Sequence, residues 1–181
     1  MCKKNHLRLF DINSNNINGG SAQIFICKNN ASYKTNKKAI NKFFKLEKKL
    51  KINQKTTFVK FFNKINRIKF NLFTFLSNKK KENKKIHCYG ASTKGNVLLQ
   101  YFKIDNKIID YVAERNPQKY NLFTPGSKIK IISEKNSRKM LPDYYLVLPW
   151  HFKKEILKRE KETIKKGSKF VFPLPKISIN S

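Results

Sequence analysis

Residues 85–96 read KIHCYGASTKGN and join a short apolar run to a glycine-bounded turn. The run before the turn is short and apolar enough for a strand that is buried on both faces. Gly90 and Gly95 bound the turn, and Leu98 and Leu99 follow it with helical spacing. The stretch therefore predicts a strand, a tight turn and a helix, which is the repeating unit of a parallel α/β sheet.

Towards the carboxyl terminus, short apolar runs continue to alternate with amphipathic segments. Parallel strands need crossover connections, so this alternation predicts an α/β fold with a Rossmann-like, doubly wound parallel sheet. We predict strands at 85–89, 108–113, 129–132, 144–149 and 169–172, and helices at 94–102, 134–140 and 152–166.

Towards the amino terminus the pattern differs. Residues 7–12 and 21–27 flank an Asn-rich turn that ends in Gly-Gly, and they predict a β-hairpin. A lone hairpin is marginal in water, so we expect it to lean on a larger sheet. Two helices are predicted next, at 36–52 and 57–76, and the second is apolar over more than one face before a linker at 77–85.

These patterns together predict three parts. Residues 1–35 form the hairpin, residues 36–84 a helical connector, and residues 85–181 the Rossmann-like domain. The length of 181 residues suits one domain with an appendage rather than two full domains.

The chain is strongly basic, with a formal net charge of +30. A charge of this size is typical of proteins that bind nucleic acid or anionic membranes. Proteins that recognise bases favour arginine, however, because its fork can form two hydrogen bonds at once. We therefore interpret the charge as a solvated lysine surface and keep a nucleic-acid-binding protein as the alternative function. Of the 41 basic residues only five are arginine, namely Arg8, Arg67, Arg115, Arg138 and Arg159.

Cysteine usage and hydropathy indicate the redox state of the thiols, the metal content and the location of the protein. Cys2, Cys27 and Cys88 are an odd number at wide spacing without a C-x-x-C pair, so we expect reduced thiols and no metal site. No leader pattern opens the sequence and no run of about 18 apolar residues occurs, so we expect a cytoplasmic protein without a membrane partner.

The first candidate site is the turn from Gly90 to Asn96. Ligands of open α/β sheets bind beyond the carboxyl ends of the strands, and the backbone amides of this turn could receive a phosphate. The turn is not a P-loop, because Lys94 precedes Gly95 instead of following it. A tight turn with a purely structural role is the competing interpretation.

Two further loops follow later strands. Glu114 lies 24 positions after Gly90, close to where nucleotide-binding sheets hold a ribose hydroxyl; a surface pair with Arg115 is the alternative. Trp150 follows the strand at 144–149 and could stack on a base or sugar. His151 could act in catalysis or cap the next helix, but no carboxylate is identified to orient it, and no catalytic residue is assigned.

Four separate motifs occur in order: CYGASTKGN at 88–96, YVAERNPQKYNLFTPGSKIKII at 111–132, PDYYLVLPWHFKKEI at 142–156 and GSKFVFPLP at 167–175. Together they resemble the carboxy-terminal domain of S-adenosylmethionine-dependent sugar C-methyltransferases, enzymes that act on nucleotide-linked deoxysugars. Residues 10–26, FDINSNNINGGSAQIFI, are similar to the closing strands of the central domain of that family.

The resemblance implies a three-part enzyme, with a zinc module, a central domain that binds S-adenosylmethionine, and this Rossmann-like domain. The zinc cysteines, the methyl-donor loop and the catalytic segment are expected upstream of Met1. The chain is therefore expected to be a substrate-binding fragment that is inactive alone and binds no S-adenosylmethionine by itself.

The resemblance also implies which residues face the substrate. Glu114 stands where the family commonly has Asp, and Asn18 stands where relatives often have His. By position, the substrate-binding residues are Tyr89, Gly90, Ala91, Lys94, Gly95, Asn96, Glu114, Arg115 and Lys119, and strand-end placement adds Trp150 and His151.

The expected partners are a nucleotide-linked deoxysugar and either a separately encoded catalytic half or a second copy of the chain. The apolar helix at 57–76 is the natural docking surface for such a half. An NAD-type oxidoreductase on the same turn is disfavoured, because the second glycine of the dinucleotide fingerprint is missing.

Overall fold

The computed structural model describes residues 2–181, except the side chains of Lys3 and Asn18. The expected effect of Asn18 therefore lies outside the described residues. The chain divides into two compact units, one that ends at Phe62 and one that spans Asn63–Ser181. The predicted division at residues 35 and 84 stays a prediction.

The first unit begins with the predicted hairpin. Strands β1 (Leu7–Asn15) and β2 (Ser21–Lys28) are nine and eight residues long and pair antiparallel. Helix α1 (Lys37–Leu50) contacts β1 and is capped by Asn36, whose side chain accepts a hydrogen bond from the Ala39 amide.

Helix α2 (Lys55–Lys81) is longer than predicted. A linker was predicted at 77–85, but the helix continues to Lys81. The lysine run extends the helix because lysine is a good helix former and cations are favourable near a helix carboxyl end. Two of these lysines also form ion pairs, Lys79 with Glu82 and Lys80 with Asp110.

The second unit contains a six-stranded sheet, which confirms the predicted α/β fold. In the order β5-β4-β3-β6-β7-β8, the first five strands run parallel and β8 pairs antiparallel with β7. Strand β8 was not predicted, because its three residues contain a single apolar side chain, Ile179. The strands are β3 (Ile86–Tyr89), β4 (Tyr111–Glu114), β5 (Ile131–Ser133), β6 (Tyr144–Val147), β7 (Lys169–Phe172) and β8 (Ser178–Asn180).

The connecting helices depart from the prediction at one place. The helix predicted at 152–166 is split at Glu160, whose side chain turns inward and is 1% exposed. Its carboxylate binds Arg138 there, and the helical backbone is interrupted. The helices are α3 (Thr93–Phe102), α4 (Glu134–Lys139), α5 (Lys153–Arg159) and α6 (Lys161–Lys165).

Helices cover both faces of the sheet. Because side chains alternate along a strand, Cys88 packs on the face covered by Leu72 and Leu99, while Tyr89 packs on the opposite face with Ile156. The chain winds outward from β3 through β4 to β5 and then returns to β6 on the other side of β3. The gap between the carboxyl ends of β3 and β6 is therefore the topological switch point of the sheet.

Among residues 2–181, none of the helices has the length and apolar character that a membrane span requires.

Candidate functional site

A cavity of about 540 Å³ lies at the carboxyl ends of the strands, beside the switch point. Of the predicted site residues, it brings together Tyr89, Gly90, Ala91, Glu114, Arg115 and Lys119.

Gly90 shapes the turn that forms one edge of the cavity. Its φ of +80° lies in the left-handed region, and a Cβ at this position would approach the Pro149 ring to 3.0 Å. Its amide donates to the Ala113 carbonyl at 2.7 Å. Gly90 therefore holds the loops after β3, β4 and β6 against one another.

Gly95 is a packing residue at the start of α3. A Cβ there would lie 2.5 Å from the Leu148 Cβ, so only glycine lets the helix approach β6 this closely. Its amide donates to the Ser92 hydroxyl, which caps the helix. Gly95 does not line the cavity.

The Glu114 carboxylate fastens the glycine turn. One oxygen accepts a hydrogen bond from the Ala91 amide at 2.6 Å, and the other accepts from the Arg115 and Asn116 amides at 2.8 and 3.0 Å. The Lys119 ammonium lies 3.9 Å from the carboxylate and donates to the Ala91 carbonyl. Partial burial raises the pKa of Glu114, but the three amides and Lys119 outweigh it and lower the pKa overall.

The Tyr89 hydroxyl is bound to protein partners. It donates to the Glu160 carboxylate at 2.8 Å and accepts a hydrogen bond from the Arg159 guanidinium. Burial is the largest influence on the pKa of Tyr89 and raises it. Its ring, with the Arg159 guanidinium 5.4 Å from the centroid, remains part of the cavity wall.

Two arginines and two glutamates form a connected network, and two of them, Glu134 and Arg159, line the cavity. Arg159 donates to Glu134 at 2.8 Å, and Arg138 bridges Glu134 and Glu160. Burial raises the pKa of Glu160, but hydrogen bonds from Arg138, Thr163 and Tyr89 outweigh it and lower the pKa overall. The network links α4 to α5.

Five predicted site residues lie outside the cavity lining: Lys94, Gly95, Asn96, Trp150 and His151. Trp150 is partly buried and packs against the core on both faces of the sheet. Burial, with the nearby charge of Lys94, lowers the pKa of His151. Within the described part of the chain, the buried Asn96 Oδ1 and His151 Nδ1 have no hydrogen-bond partner. The site assignments of all the predicted residues stay predictions.

The second wall of the cavity was not predicted. Phe152, Ile156 and Arg159 recur there with helical spacing, on a helix for which only a connecting role was expected. Arginine was the available signal, since two arginines of this lysine-rich chain besides the predicted Arg115, namely Arg138 and Arg159, lie in the cavity or its network. The lining residues that were not named as site residues are Ser92, Glu134, Pro149, Phe152, Glu155, Ile156 and Arg159.

Comparison with known proteins supports the interpretation of these motifs. Residues 16–175 match the family described as the C-methyltransferase C-terminal domain. This chain belongs to that family. The C-methyltransferase NovU of Streptomyces niveus is 28% identical to it over 169 residues. That match covers 93% of this chain and 40% of the relative, so the chain spans about two fifths of the relative's length.

The methyltransferase relative suggests S-adenosylmethionine as the family's methyl donor. In nucleotide-binding sheets, an acidic side chain after the second strand binds the ribose hydroxyls. Here that side chain is Glu114, and three amides already occupy most of its four acceptor positions. Glu114 is therefore poorly suited to bind the ribose of the donor.

Proposed function

We propose that this C-methyltransferase C-terminal domain is the nucleotide-sugar-binding part of a sugar C-methyltransferase, and that it does not transfer methyl groups by itself. The observation that carries the proposal is the cavity at the topological switch point, the usual ligand site of an open α/β sheet.

The two walls of the cavity differ in chemistry, which suits such a ligand. Arg115 and Lys119 supply cations on the wall beside β4. Phe152, Pro149 and Ile156 supply apolar surface on the wall after β6. A nucleotide-linked sugar combines a flat base with a charged diphosphate, so the cavity offers apolar surface for one and cations for the other.

The proposal includes a catalytic half on a separate chain. Its support is that the NovU relative is more than twice as long as the matched segment. Large apolar side chains are also exposed along α2, with Phe70 the most exposed of them at 70%. A second copy of this chain is the alternative partner.

The test is calorimetric titration of the purified chain with a thymidine-diphosphate sugar and, separately, with S-adenosylmethionine. Moderate salt limits indiscriminate anion binding by the lysines. We expect saturable binding of the nucleotide-sugar and none of S-adenosylmethionine. Saturable binding of the methyl donor would contradict the proposal, and so would a lack of nucleotide-sugar binding.

A further inference from the structure

Three amides of the glycine turn already have acceptors within the protein. In a phosphate-binding turn, backbone N–H groups at the start of the helix point at the ligand. Here the Ala91 amide donates to Glu114, the Gly90 amide to the Ala113 carbonyl, and the Gly95 amide to the Ser92 hydroxyl. These three donors are therefore used inside the fold, one of them by a carboxylate.

The cations that line the cavity differ in how far they are already bound. The Lys119 ammonium donates to the Ala91 carbonyl and lies near Glu114, so it stabilises the glycine turn. The Arg115 side chain is exposed and has no hydrogen bond or ion pair in the part of the chain that the structure describes. Arg115 therefore presents a whole guanidinium group to a ligand.

Arg159 faces the same cavity from the opposite wall and is held in place. Its Nη2 donates to Tyr89 and Glu134, and its Nε lies 3.5 Å from Glu160. Among residues 2–181, the Nη1 atom of Arg159 has no hydrogen bond or ion pair. A guanidinium has five N–H donors, so Arg159 keeps donors for a ligand although its position is fixed. A fixed donor loses little conformational freedom when a ligand binds.

We infer that the Arg115 and Arg159 guanidinium groups hold the diphosphate of the ligand. This inference rests on the proposed function and adds the groups that recognise the phosphates. Arginine is suited to this task because its planar fork binds phosphate oxygens in pairs. Glu114 keeps its bonds to the turn when the ligand is bound.

The experiment is calorimetric titration with thymidine diphosphate of the full chain and of three variants. Arg115→Gln and Arg159→Gln each remove one guanidinium. The matched control is Lys154→Gln, which removes an exposed cation from the same helix as Arg159 without touching the cavity. We expect each arginine variant to bind roughly tenfold to a hundredfold more weakly, and the control to bind like the unchanged chain.

Arg115→Gln is the decisive variant, because among residues 2–181 the Arg115 side chain has no hydrogen bond or ion pair whose loss could unfold the cavity. Arg115→Lys is expected to recover only part of the affinity, since lysine keeps the charge but not the fork. If Arg115→Gln binds thymidine diphosphate as tightly as Lys154→Gln does, the inference is wrong while the proposed function stands. If the unchanged chain binds neither thymidine diphosphate nor the nucleotide-sugar, both are wrong.

Discussion

Among single residues, Glu114 is the one whose role changes most between sequence and structure. Its spacing from Gly90 suggested a contact to ribose, whereas its carboxylate binds three backbone amides and is 14% exposed. Glu114→Gln removes the charge and one acceptor oxygen. We expect it to lower the free energy of unfolding by about 1–2 kcal/mol, measured by urea denaturation. The control is Glu162→Gln, since Glu162 is 76% exposed, and equal losses in both variants would contradict this role.

His87 gives the stability a defined pH dependence. The side chain is 1% exposed, lies 2.8 Å from the Ser137 hydroxyl, and burial lowers its pKa from 6.5 to about 4. Between these pKa values the unfolded chain binds more protons than the folded chain, so stability falls as the pH falls from 6.5 towards 4. From pH 7 to pH 5 this amounts to roughly 2 kcal/mol.

Urea denaturation at pH 7 and pH 5 measures this loss. The matched variant is His87→Gln, which keeps a polar group beside Ser137 but cannot take up a proton. We expect its stability to change less between the two pH values than that of the unchanged chain. An equal change in both chains would mean that other groups carry the pH dependence.

Between elements, the contact of α3 with β6 depends on the absence of one side chain. Gly95→Ala would place a Cβ 2.5 Å from the Leu148 Cβ, and the helix would have to shift. We expect a loss of about 1–3 kcal/mol in urea denaturation, although alanine is the better helix former. Thr93→Ala, at an exposed position in the first turn of the same helix, is expected to cost less. An unchanged urea midpoint for Gly95→Ala would show that α3 can move away from Leu148 without loss of stability.

The elements also show how far sequence patterns reach. Hydrophobic periodicity predicted the parallel strands, because those runs are buried by the fold that they create. The hairpin was predicted from its turn, although β2 is largely exposed. It could not predict the break at Glu160, which depends on a partner 22 positions away, Arg138. The rule that ligands bind at strand ends found the wall around Gly90 and Glu114. The same rule did not identify Arg159, which lies at the end of α5 and lines the cavity because that helix packs on the sheet.

At the level of the whole molecule, the net charge of +30 predicts anion binding that depends on salt. We expect duplex DNA to bind at 50 mM NaCl without sequence preference, and its affinity to fall by a factor on the order of a thousand at 200 mM. Nucleotide-sugar affinity is expected to change much less, because one diphosphate releases few counterions. Fluorescence anisotropy measures the DNA affinity, and calorimetry measures the nucleotide-sugar affinity. Sequence-specific DNA binding that persists at 200 mM would favour the nucleic-acid alternative.

The lengths of the outer strands bear on how this protein behaves when it is concentrated. Both edges of the six-stranded sheet, β5 and β8, are three residues long, so an incoming strand would find few unpaired backbone groups there. The hairpin differs, since its strands have nine and eight residues, and Ile24 and Ile26 on β2 are about half exposed. Aggregation through strand addition would therefore begin at the hairpin, and a lysine at position 24 or 26 is the change that would oppose it.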